Sequence, residues 1–495
     1  MITFTICLIL LVAAYFTYGT YLERICSVSA DNPVPSSTCF DGVDYVPMPR
    51  WRTFLIQLLN IAGLGPIFGA VMGAAYGPVA FLWITFGGIF FGAMHDFVSG
   101  VISVKNNGVS LPEIIGKYLG SGVKLFMRIF SVALMVLVGA VFMSQPAEII
   151  AARIDCPVLD DNIVINGFSA MLLLVMAVIL VYYIVATLLP VDKLIGKIYP
   201  VFGFALFFMA IGIFCVLVFS SEYAIPELTS LKNQIADADK FPIIPTLFTT
   251  IACGAISGFH ATQSPLMARC IRNEKECKSV FFGAMISESI IALIWAAIAM
   301  AFWGGVDGLN QALAENGNKA GVLVDIIAQS TLGKWLAAMV IFGVVAAAIT
   351  SGDTAFRSAR LIVADFLGME QRTLRKRIYI SLPLFVGALV IILLMPFRTM
   401  WSYFAWMNQT LAVITLWAIT AYFYRAGGLR YLLSLIPALV MTYVCSSYVF
   451  VSPLMCGMEN RTLAYAAGAA VTLAISFYFL RQFRNQRSLN GQKSS

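Results

Sequence analysis

The stretch Asn60-Ile61-Ala62-Gly63-Leu64-Gly65-Pro66 interrupts an apolar segment with glycine-rich backbone, and Ala252-Cys253-Gly254-Ala255-Ile256-Ser257-Gly258-Phe259-His260 does so again far along the chain. In a bilayer every backbone N–H and C=O needs a partner, so unwound backbone survives only where it is buried in protein or lines a cavity. Two such breaks in corresponding halves of a chain are typical of a secondary transporter.

Composition places the chain among polytopic membrane proteins. Hydrophobic residues make up 60% of it, charged residues 12%, and the mean hydropathy is +0.87. Apolar runs of roughly 20 residues predict about thirteen spans. The loops are too short for a soluble domain, and no nucleotide motif indicates a primary pump. No nucleophile-base arrangement indicates an enzyme. We therefore expect no cofactor and no metal, and the lipid bilayer as the surroundings.

Lysine and arginine fall in alternate loops, which sets the orientation. The basic loops contain Lys105 and Lys117, Lys193 and Lys197, Arg269 to Lys278, Arg372 to Arg377, Arg425 and Arg430, and Arg481 to Lys493. This side is predicted to be cytoplasmic, with the N-terminus outside and the C-terminus inside. The net charge of +7 is then an orientation signal and does not indicate nucleic-acid binding.

The ten cysteines show no spacing typical of zinc or iron-sulfur sites. Those inside apolar spans, such as Cys253, are interpreted as small packing residues. Cys156 and Cys456 fall in loops placed outside. Sequence does not give their separation, so a disulfide and two free thiols both stay open.

The order of the predicted spans indicates an internal repeat. Each broken helix is followed by four spans, and a five-span unit inverts its topology when it is repeated. The predicted units are an extra helix and loop (1–52), a first repeat (53–220), an outer loop (221–243), a second repeat (244–424), and two further helices with a basic tail (425–495).

Several motifs, in order along nearly the whole chain, resemble the carbon starvation A family of bacterial permeases. They are Asp41-Gly42-Val43-Asp44-Tyr45-Val46-Pro47, Ile61-Ala62-Gly63-Leu64-Gly65-Pro66, His95-Asp96-Phe97, Ala252 to His260, and Trp406-Met407-Asn408-Gln409-Thr410-Leu411-Ala412. The resemblance implies an all-α, LeuT-like fold with a 5+5 inverted repeat and residence in the bacterial inner membrane. It also implies uptake of peptides or pyruvate during nutrient limitation, without choosing between them.

The breaks supply the candidate substrate site. The half-helix that starts near Pro66 presents free N–H groups and a positive dipole end, which bind carboxylates well. The alternative is a plain glycine-proline kink. The predicted substrate-binding residues are Ala62, Gly63, Leu64, Gly65 and Pro66 in the first break, and Ser257, Gly258, His260, Gln263 and Ser264, with Thr262 beside them, in the second. Pro265 is expected to open the resumed second half-helix.

Intramembrane ionisable residues are rare and usually functional. The only two histidines, His95 and His260, both lie in or beside spans, Asp96 follows His95, and Glu288 adds a carboxylate. Histidine titrates near neutral pH, so these four residues are predicted to carry a coupling proton. For each of them, a packing or pairing role is the alternative.

Other polar residues within spans have two interpretations each. Thr350, Ser351 and Thr354 share a helix face and are predicted to bind sodium if sodium is the coupling ion, whereas Asp353 pairing with Arg357 at i+4 is the alternative interpretation of that cluster. Asn408 and Gln409 are expected to bond between helices or to act as plain helix contacts. Asp41, Asp44 and Tyr45 are expected to shape an entrance.

The resulting prediction is a proton symporter for a peptide or a small carboxylate such as pyruvate. A sodium-coupled symporter is the alternative within the same fold. An uncoupled channel or facilitator is a second alternative, and a nutrient sensor, for which the loops are too short, is a third. The oligomeric state is left open.

Overall fold

The computed structural model describes residues 1–154, 164–165, 168–189, 195–371 and 373–491. Their regular secondary structure is helical, apart from a two-residue antiparallel ladder between Val164–Ile165 and Phe168–Ser169. The principal helices are α1 (Ile2–Ile25), α2 (Arg50–Ile61), α3 (Gly65–Ala74), α4 (Val79–Lys105), α5 (Leu111–Leu119), α6 (Ser121–Ala151), α7 (Ala170–Leu188), α8 (Ile195–Phe219), α9 (Ile243–Leu247 continued by Phe248–Thr250), α10 (Gly258–Ala268), α11 (Lys278–Phe302), α12 (Val306–Glu315), α13 (Ala320–Leu367), α14 (Leu374–Leu394), α15 (Phe397–Ala426), α16 (Leu432–Val451) and α17 (Arg461–Gly491).

Eleven helices in the described residues are long and apolar enough to cross a membrane, and the bent pair α2 and α3 makes a twelfth if it forms one span. The sequence predicts about thirteen spans of roughly 20 residues. The predicted and observed numbers of spans differ because of the second break. There α10 contains 11 residues and reaches only about 16 Å, roughly half the hydrocarbon thickness. The prediction that the protein is a polytopic helical membrane protein is confirmed.

Helix α13 is bent near its beginning. Its 48 residues would extend about 72 Å if straight, far more than a bilayer requires. Gly333 has φ 73° and ψ 168° and divides the helix into two parts. Glycine carries little penalty at positive φ, so this residue permits the turn. The longer part, residues 334–367, is the one that carries the polar cluster around Thr350.

The two broken segments lie at the centre of the bundle. Helix α2 contacts α10 directly and also packs against α8, α11 and α13, while α10 packs against α4 and α15. In the most apolar stretch of α11, 83% of residues are buried inside the protein, against 28% in α1 and α17. The outer helices therefore turn most of their apolar surface toward lipid, and the breaks are shielded from it.

Basic side chains from three loops meet at the C-terminal end of α1. Lys105 donates to the Cys26 carbonyl, Arg430 donates to the Ile25 carbonyl at 3.2 Å, and Lys278 Nζ lies 3.1 Å from a Glu23 carboxylate oxygen. These loops were predicted from their charge to share one side. In the described residues they lie at the same end of the bundle.

Helix α4 packs closely against the second break at Gly92. A Cβ at this position would lie 2.2 Å from the Ala255 carbonyl oxygen and 2.6 Å from Met285 Cε. We expect Gly92→Ala to lower the melting temperature of the purified protein, because overpacking costs about 1–3 kcal/mol.

Gly122→Ala in α6 is the matched control, because no atom lies within 4 Å of a Cβ there. Alanine is a better helix former than glycine, so this control should be neutral or slightly stabilising. Equal melting temperatures for the two variants would contradict the close contact between Gly92 and Ala255.

Candidate functional site

The first break separates α2 from α3 by a bend of 56°. Ala62 leaves the helical conformation at φ −78° and ψ 58°, and the Gly63 N–H donates to the Ile61 carbonyl in a tight turn at 2.8 Å. Helix α3 begins at Gly65, one residue before the predicted Pro66. Among the described residues, the hydrogen bonds include none from the N–H groups of Leu64 and Gly65. The break therefore leaves buried donors at the start of α3.

The glycines of this break are required by neighbouring side chains. A Cβ at Gly63 would lie 2.7 Å from Phe142 and 2.9 Å from Ser351 Oγ, and one at Gly65 would lie 2.3 Å from Cys253 Sγ. The sequence suggested that these glycines admit substrate. In this conformation, protein side chains fill the space beside them, so the first break is closed against its surroundings.

The second break is satisfied by side chains of other helices. The Asn408 side-chain oxygen accepts from the Phe259 N–H at 2.7 Å and from Ser257 Oγ at 3.0 Å. Trp83 Nε1 donates to the Ile251 carbonyl at 3.0 Å, and Gln409 Nε2 donates to the Phe248 carbonyl at 3.1 Å. Asn408 thus caps α10 from α15, and both amides bond between helices.

The prediction that α10 begins at Pro265 is wrong. The helix begins at Gly258, and Pro265 lies in its interior. The Asn408 cap explains the early start, because it satisfies the N–H of Phe259, six positions before Pro265. Gln263 and Ser264 are therefore on the helix, where Gln263 Nε2 donates to Thr262 Oγ1 at 2.9 Å and Ser264 Oγ donates to the His260 carbonyl at 3.1 Å.

Four ionisable residues form a continuous buried row beside the second break. Asp96 Oδ1 lies 2.7 Å from His95 Nδ1, and Asp96 Oδ2 lies 2.8 Å from His260 Nδ1. His260 Nε2 in turn lies 3.4 Å from Glu288 Oε2. All four side chains are fully buried. The structure thus brings together the four residues predicted separately for proton coupling.

The contacts of Asp96 favour one tautomer of each histidine. An ionised Asp96 accepts from Nδ1–H of both rings, so each neutral ring keeps its lone pair on Nε2. Among the described atoms, His260 Nε2 and both Glu288 oxygens have no hydrogen-bond partner. A proton placed between them would be held either as imidazolium facing carboxylate or as carboxylic acid facing imidazole.

The hydroxyl cluster of α13 reaches the last turn of α2. Thr350 Oγ1 and Ser351 Oγ each lie 3.1 Å from the Leu59 carbonyl oxygen. Thr354 Oγ1 lies 3.0 Å from the Thr350 carbonyl of its own helix. Two of the three predicted sodium residues therefore contact the first broken segment, and the third does not.

The pairing of Asp353 with Arg357, weighed as the alternative for this cluster, is not among the ion pairs of the described residues. Asp353 accepts from Tyr182 Oη at 2.8 Å and from Tyr199 Oη at 3.0 Å. Arg357 instead lies 3.4 Å from Asp44. The partners of Asp353 are thus two tyrosines on neighbouring helices, in place of the arginine that i+4 spacing suggested.

Asp44 is buried among arginines at the end of α13. Its Oδ1 lies 3.4 Å from Arg357 and 3.3 Å from Arg360. Burial alone would raise the pKa of Asp44, but the charges of Arg360, Arg357 and Arg269 outweigh it and lower the pKa below its usual value. This carboxylate ties the loop before α2 to α13, a more specific role than the predicted entrance.

The sequence assigned no functional role to Gln57, Asn60 or Cys253. Gln57 and Asn60 are fully buried in α2 beside the first break, and none of their side-chain polar atoms has a partner among the described residues. Cys253 was interpreted as packing, yet its Sγ lies within 4.8 Å of ligand atoms of His260 and Glu288. Gln57 and Asn60 could have been found from the sequence, because two amide side chains three residues apart are unusual in an apolar helix. Cys253 gave none beyond its place in the break.

A family model described as carbon starvation protein CstA matches residues 1–154 and 149–327, which together cover the first 327 of 495 residues. This chain belongs to the CstA family. The matched part contains both breaks and all four residues of the buried row. The hydroxyl cluster of α13 and the Asn408 cap lie beyond it.

Two of the three relatives described here carry transporter names. An uncharacterized membrane protein of Haemophilus influenzae is 41% identical over 63% of this chain and 94% of its own length. Peptide transporter CstA of Bacillus subtilis is 26% identical over 89% of this chain and 88% of its length. Pyruvate/proton symporter BtsT of Escherichia coli is 26% identical over 57% of this chain, but over only 46% of its own length.

The Asn408 cap predicts a stability effect. Asn408→Ala leaves the Phe259 N–H and Ser257 Oγ without their acceptor, so we expect a loss of about 0.5–2 kcal/mol, the usual cost of removing a helix cap. Thermal unfolding of the purified protein measures it. Thr410→Ala, two residues along the same helix, removes a bond to the Trp406 carbonyl and a contact with the Cys445 thiol but no bond to the second break, and it should change stability much less. Equal losses in the two variants would contradict the capping role.

Asp44→Asn removes the only carboxylate paired with Arg357 and Arg360 in the described residues. At neutral pH we expect a loss of about 3–5 kcal/mol, because two buried cations lose their counter-charge. A carboxylate whose pKa is lowered on folding stabilises above its unfolded pKa, and that stability is lost as the pH falls through the folded pKa. The deficit relative to the parent should therefore persist from neutral pH down and shrink below about pH 4.

The control for this prediction is Asp41→Asn. Asp41 Oδ1 accepts from the backbone N–H groups of Val43, Asp44 and Tyr45, and asparagine keeps an acceptor oxygen there. Melting temperatures measured across the pH range should therefore fall far less in this variant. An Asp44→Asn protein as stable as the control at neutral pH would show that the arginines do not depend on Asp44.

Proposed function

We propose that this protein is a proton-coupled secondary transporter for a peptide or a small carboxylate such as pyruvate. The observation that carries the proposal is the buried row His95, Asp96, His260 and Glu288 beside the second break. Ionisable residues at this depth are costly and are kept in membrane proteins mainly for ion pathways and proton relays. The transporter names of the relatives support the same class.

In the proposed cycle the proton binds between His260 Nε2 and Glu288. With neutral histidines and ionised Asp96 and Glu288, the row would hold two negative charges in a fully buried place. Such a state is unfavourable away from water, and one added proton reduces the charge. Closure of the site would then favour the protonated row, and contact with water on the other side would favour release.

Cys253 supplies the proposed path from proton to substrate. It lies within 4.8 Å of His260 and Glu288 ligand atoms, and its thiol packs on Gly65, where a Cβ would come within 2.3 Å of it. The N–H groups of Leu64 and Gly65 at the start of α3 are the proposed anchor for a substrate carboxylate. A change of protonation in the buried row would therefore alter the substrate anchor through the side chain of Cys253. The remaining predicted substrate residues, Ala62, Gly63, Pro66, Ser257, Gly258, Gln263 and Ser264, are proposed to line the same path.

The proposed architecture is a LeuT-like 5+5 inverted repeat. Its units are residues 53–220 and 244–424, each a broken segment followed by four candidate spans. Helix α1 precedes the repeats, and α16 and α17 follow them. The grouping of basic loops at one end supports the proposed orientation in a bacterial inner membrane, with that end in the cytoplasm.

Sodium coupling is a second candidate because of one specific observation. Thr350 and Ser351 hydroxyls and the Leu59 carbonyl bring three oxygen atoms together beside the first break. Oxygen ligands of this kind, with unwound backbone nearby, hold Na⁺ in transporters with broken helices. The two candidates place the coupling ion on different helices, so they can be separated by substitution.

Uptake by the purified protein in liposomes tests the proposal. Labelled pyruvate and a labelled dipeptide are each supplied with an inward proton gradient, an inward sodium gradient, or neither. We expect accumulation of one substrate with the proton gradient alone. Glu288→Gln and His260→Gln should abolish accumulation while retaining exchange of internal for external substrate, because exchange needs no net proton movement.

Glu113→Gln is the matched control, since Glu113 pairs with Lys124 and Arg128 away from the row, and it should accumulate substrate like the parent. Accumulation that follows sodium and is lost in Ser351→Ala would replace the proton proposal with the sodium candidate. Equilibration without accumulation under every gradient would leave a facilitator.

A further inference from the structure

We propose that Cys253, His260 and Glu288 form a binding site for a divalent transition metal such as Zn²⁺. One ligand atom from each residue lies within 4.8 Å of the other two, and all three residues are buried. The sequence spacing gave no sign of such a site, because the ligands come from the unwound stretch, the first turn of α10, and α11.

The donor set favours zinc over calcium or magnesium. A thiolate and an imidazole are ligands that zinc prefers, whereas the other two ions require several oxygen ligands. Zinc bonds of about 2.0–2.3 Å in tetrahedral geometry separate their ligand atoms by about 3.3–3.8 Å. His260 Nε2 and Glu288 Oε2 are already 3.4 Å apart. Three protein ligands leave a fourth position for water or substrate.

A second observation independently points to a ligand here. His260 Nε2 and both oxygens of Glu288 have no hydrogen-bond partner among the described atoms, although both side chains are fully buried. Buried polar atoms without partners are unusual in a settled network of hydrogen bonds. A metal ion would engage the lone pairs that this row leaves unused.

The surroundings resemble the support of a metal-binding histidine. Asp96 Oδ2 lies 2.8 Å from His260 Nδ1, so it accepts from Nδ1–H and directs the Nε2 lone pair toward Glu288. A carboxylate behind a ligating histidine fixes the ring and makes it a stronger ligand. Zinc with one thiolate, one carboxylate and one neutral imidazole carries no net charge, so the row would keep only the charge of Asp96.

Metal binding requires that Cys253 lose its thiol proton, which passes to solvent as the Zn–S bond forms. The bound metal would then occupy both His260 Nε2 and Glu288. If these atoms carry the coupling proton, as in the proposed function, zinc should block uptake. That consequence rests on the proposed function, whereas the binding itself does not.

The experiment uses the full chain, purified in detergent with a tag that contains no histidine. Equilibrium dialysis against Zn²⁺ should give one bound ion per chain, and Co²⁺ should give the intense visible bands of a tetrahedral site with sulfur ligation. Cys253→Ser and Glu288→Gln should each remove this site, and Asp96→Asn should weaken it about 10–100-fold. Cys445→Ser, which removes another buried thiol, should bind like the parent.

A parent protein that retains no zinc, or a Cys253→Ser protein that binds as tightly as Cys445→Ser, would overturn the proposal. Melting temperatures establish that the variants are folded, and Glu288→Gln carries the test if Cys253→Ser does not fold. Uptake separates the two proposals. Proton-driven uptake without zinc binding removes the metal site and keeps the transporter, whereas stoichiometric zinc binding without proton-driven uptake does the reverse.

Discussion

The centre of this protein depends on one set of hydrogen bonds. Side chains of other helices make them to the unwound backbone of residues 251–257 and to the residues on either side of it. Lipid offers no donor or acceptor, so free peptide groups in the hydrocarbon must be satisfied from within. Asn408, Gln409 and Trp83 supply those bonds from α15 and α4. Because they come from helices distant in sequence, the break and the bundle around it stabilise each other. The buried row of ionisable residues is placed by that arrangement, since His260 lies in the first turn after the cap.

Buried carboxylates are neutralised in different ways at two places in the molecule. At the end of α13, Asp44 is matched by an excess of arginine, so a single carboxylate keeps its charge in a buried setting. In the row beside the second break, two carboxylates face two histidines, whose charge depends on bound protons. The first arrangement suits a permanent tie between a loop and a helix. The second suits a state that changes during a cycle.

Sequence predicted the elements that depend on local chemistry. Clusters of glycine, the first of them ending at a proline, weaken an apolar helix locally, so both breaks were recognised, and α3 begins within one residue of the expected Pro66. The ionisable residues were recognised one at a time because each is rare in a span. Their order in space was not, since contacts among positions 96, 260 and 288 arise only when α4, α10 and α11 pack together.

The differences between the predictions and the structure also arise from contacts between distant segments. Pro265 was taken as a helix start because the actual cap, Asn408, lies about 150 positions away in sequence. The alternative that paired Asp353 with Arg357 rested on their spacing along one helix, whereas Tyr182 and Tyr199 reach Asp353 from α7 and α8. The count of spans differs at the second break, whose pieces are too short to register as one apolar helix. Cys253 was interpreted from its place in an apolar span, and its proximity to His260 and Glu288 arises only in the folded chain.

The contact between Gly65 and Cys253 joins the two breaks with no other side chain between them. A separation of the two segments would expose the thiol, and their closure covers it again. The reactivity of the Cys253 thiol would therefore report the opening of the two breaks. Its rate of alkylation by a small water-soluble reagent would follow the fraction of time that the molecule spends open, without the introduction of any foreign label.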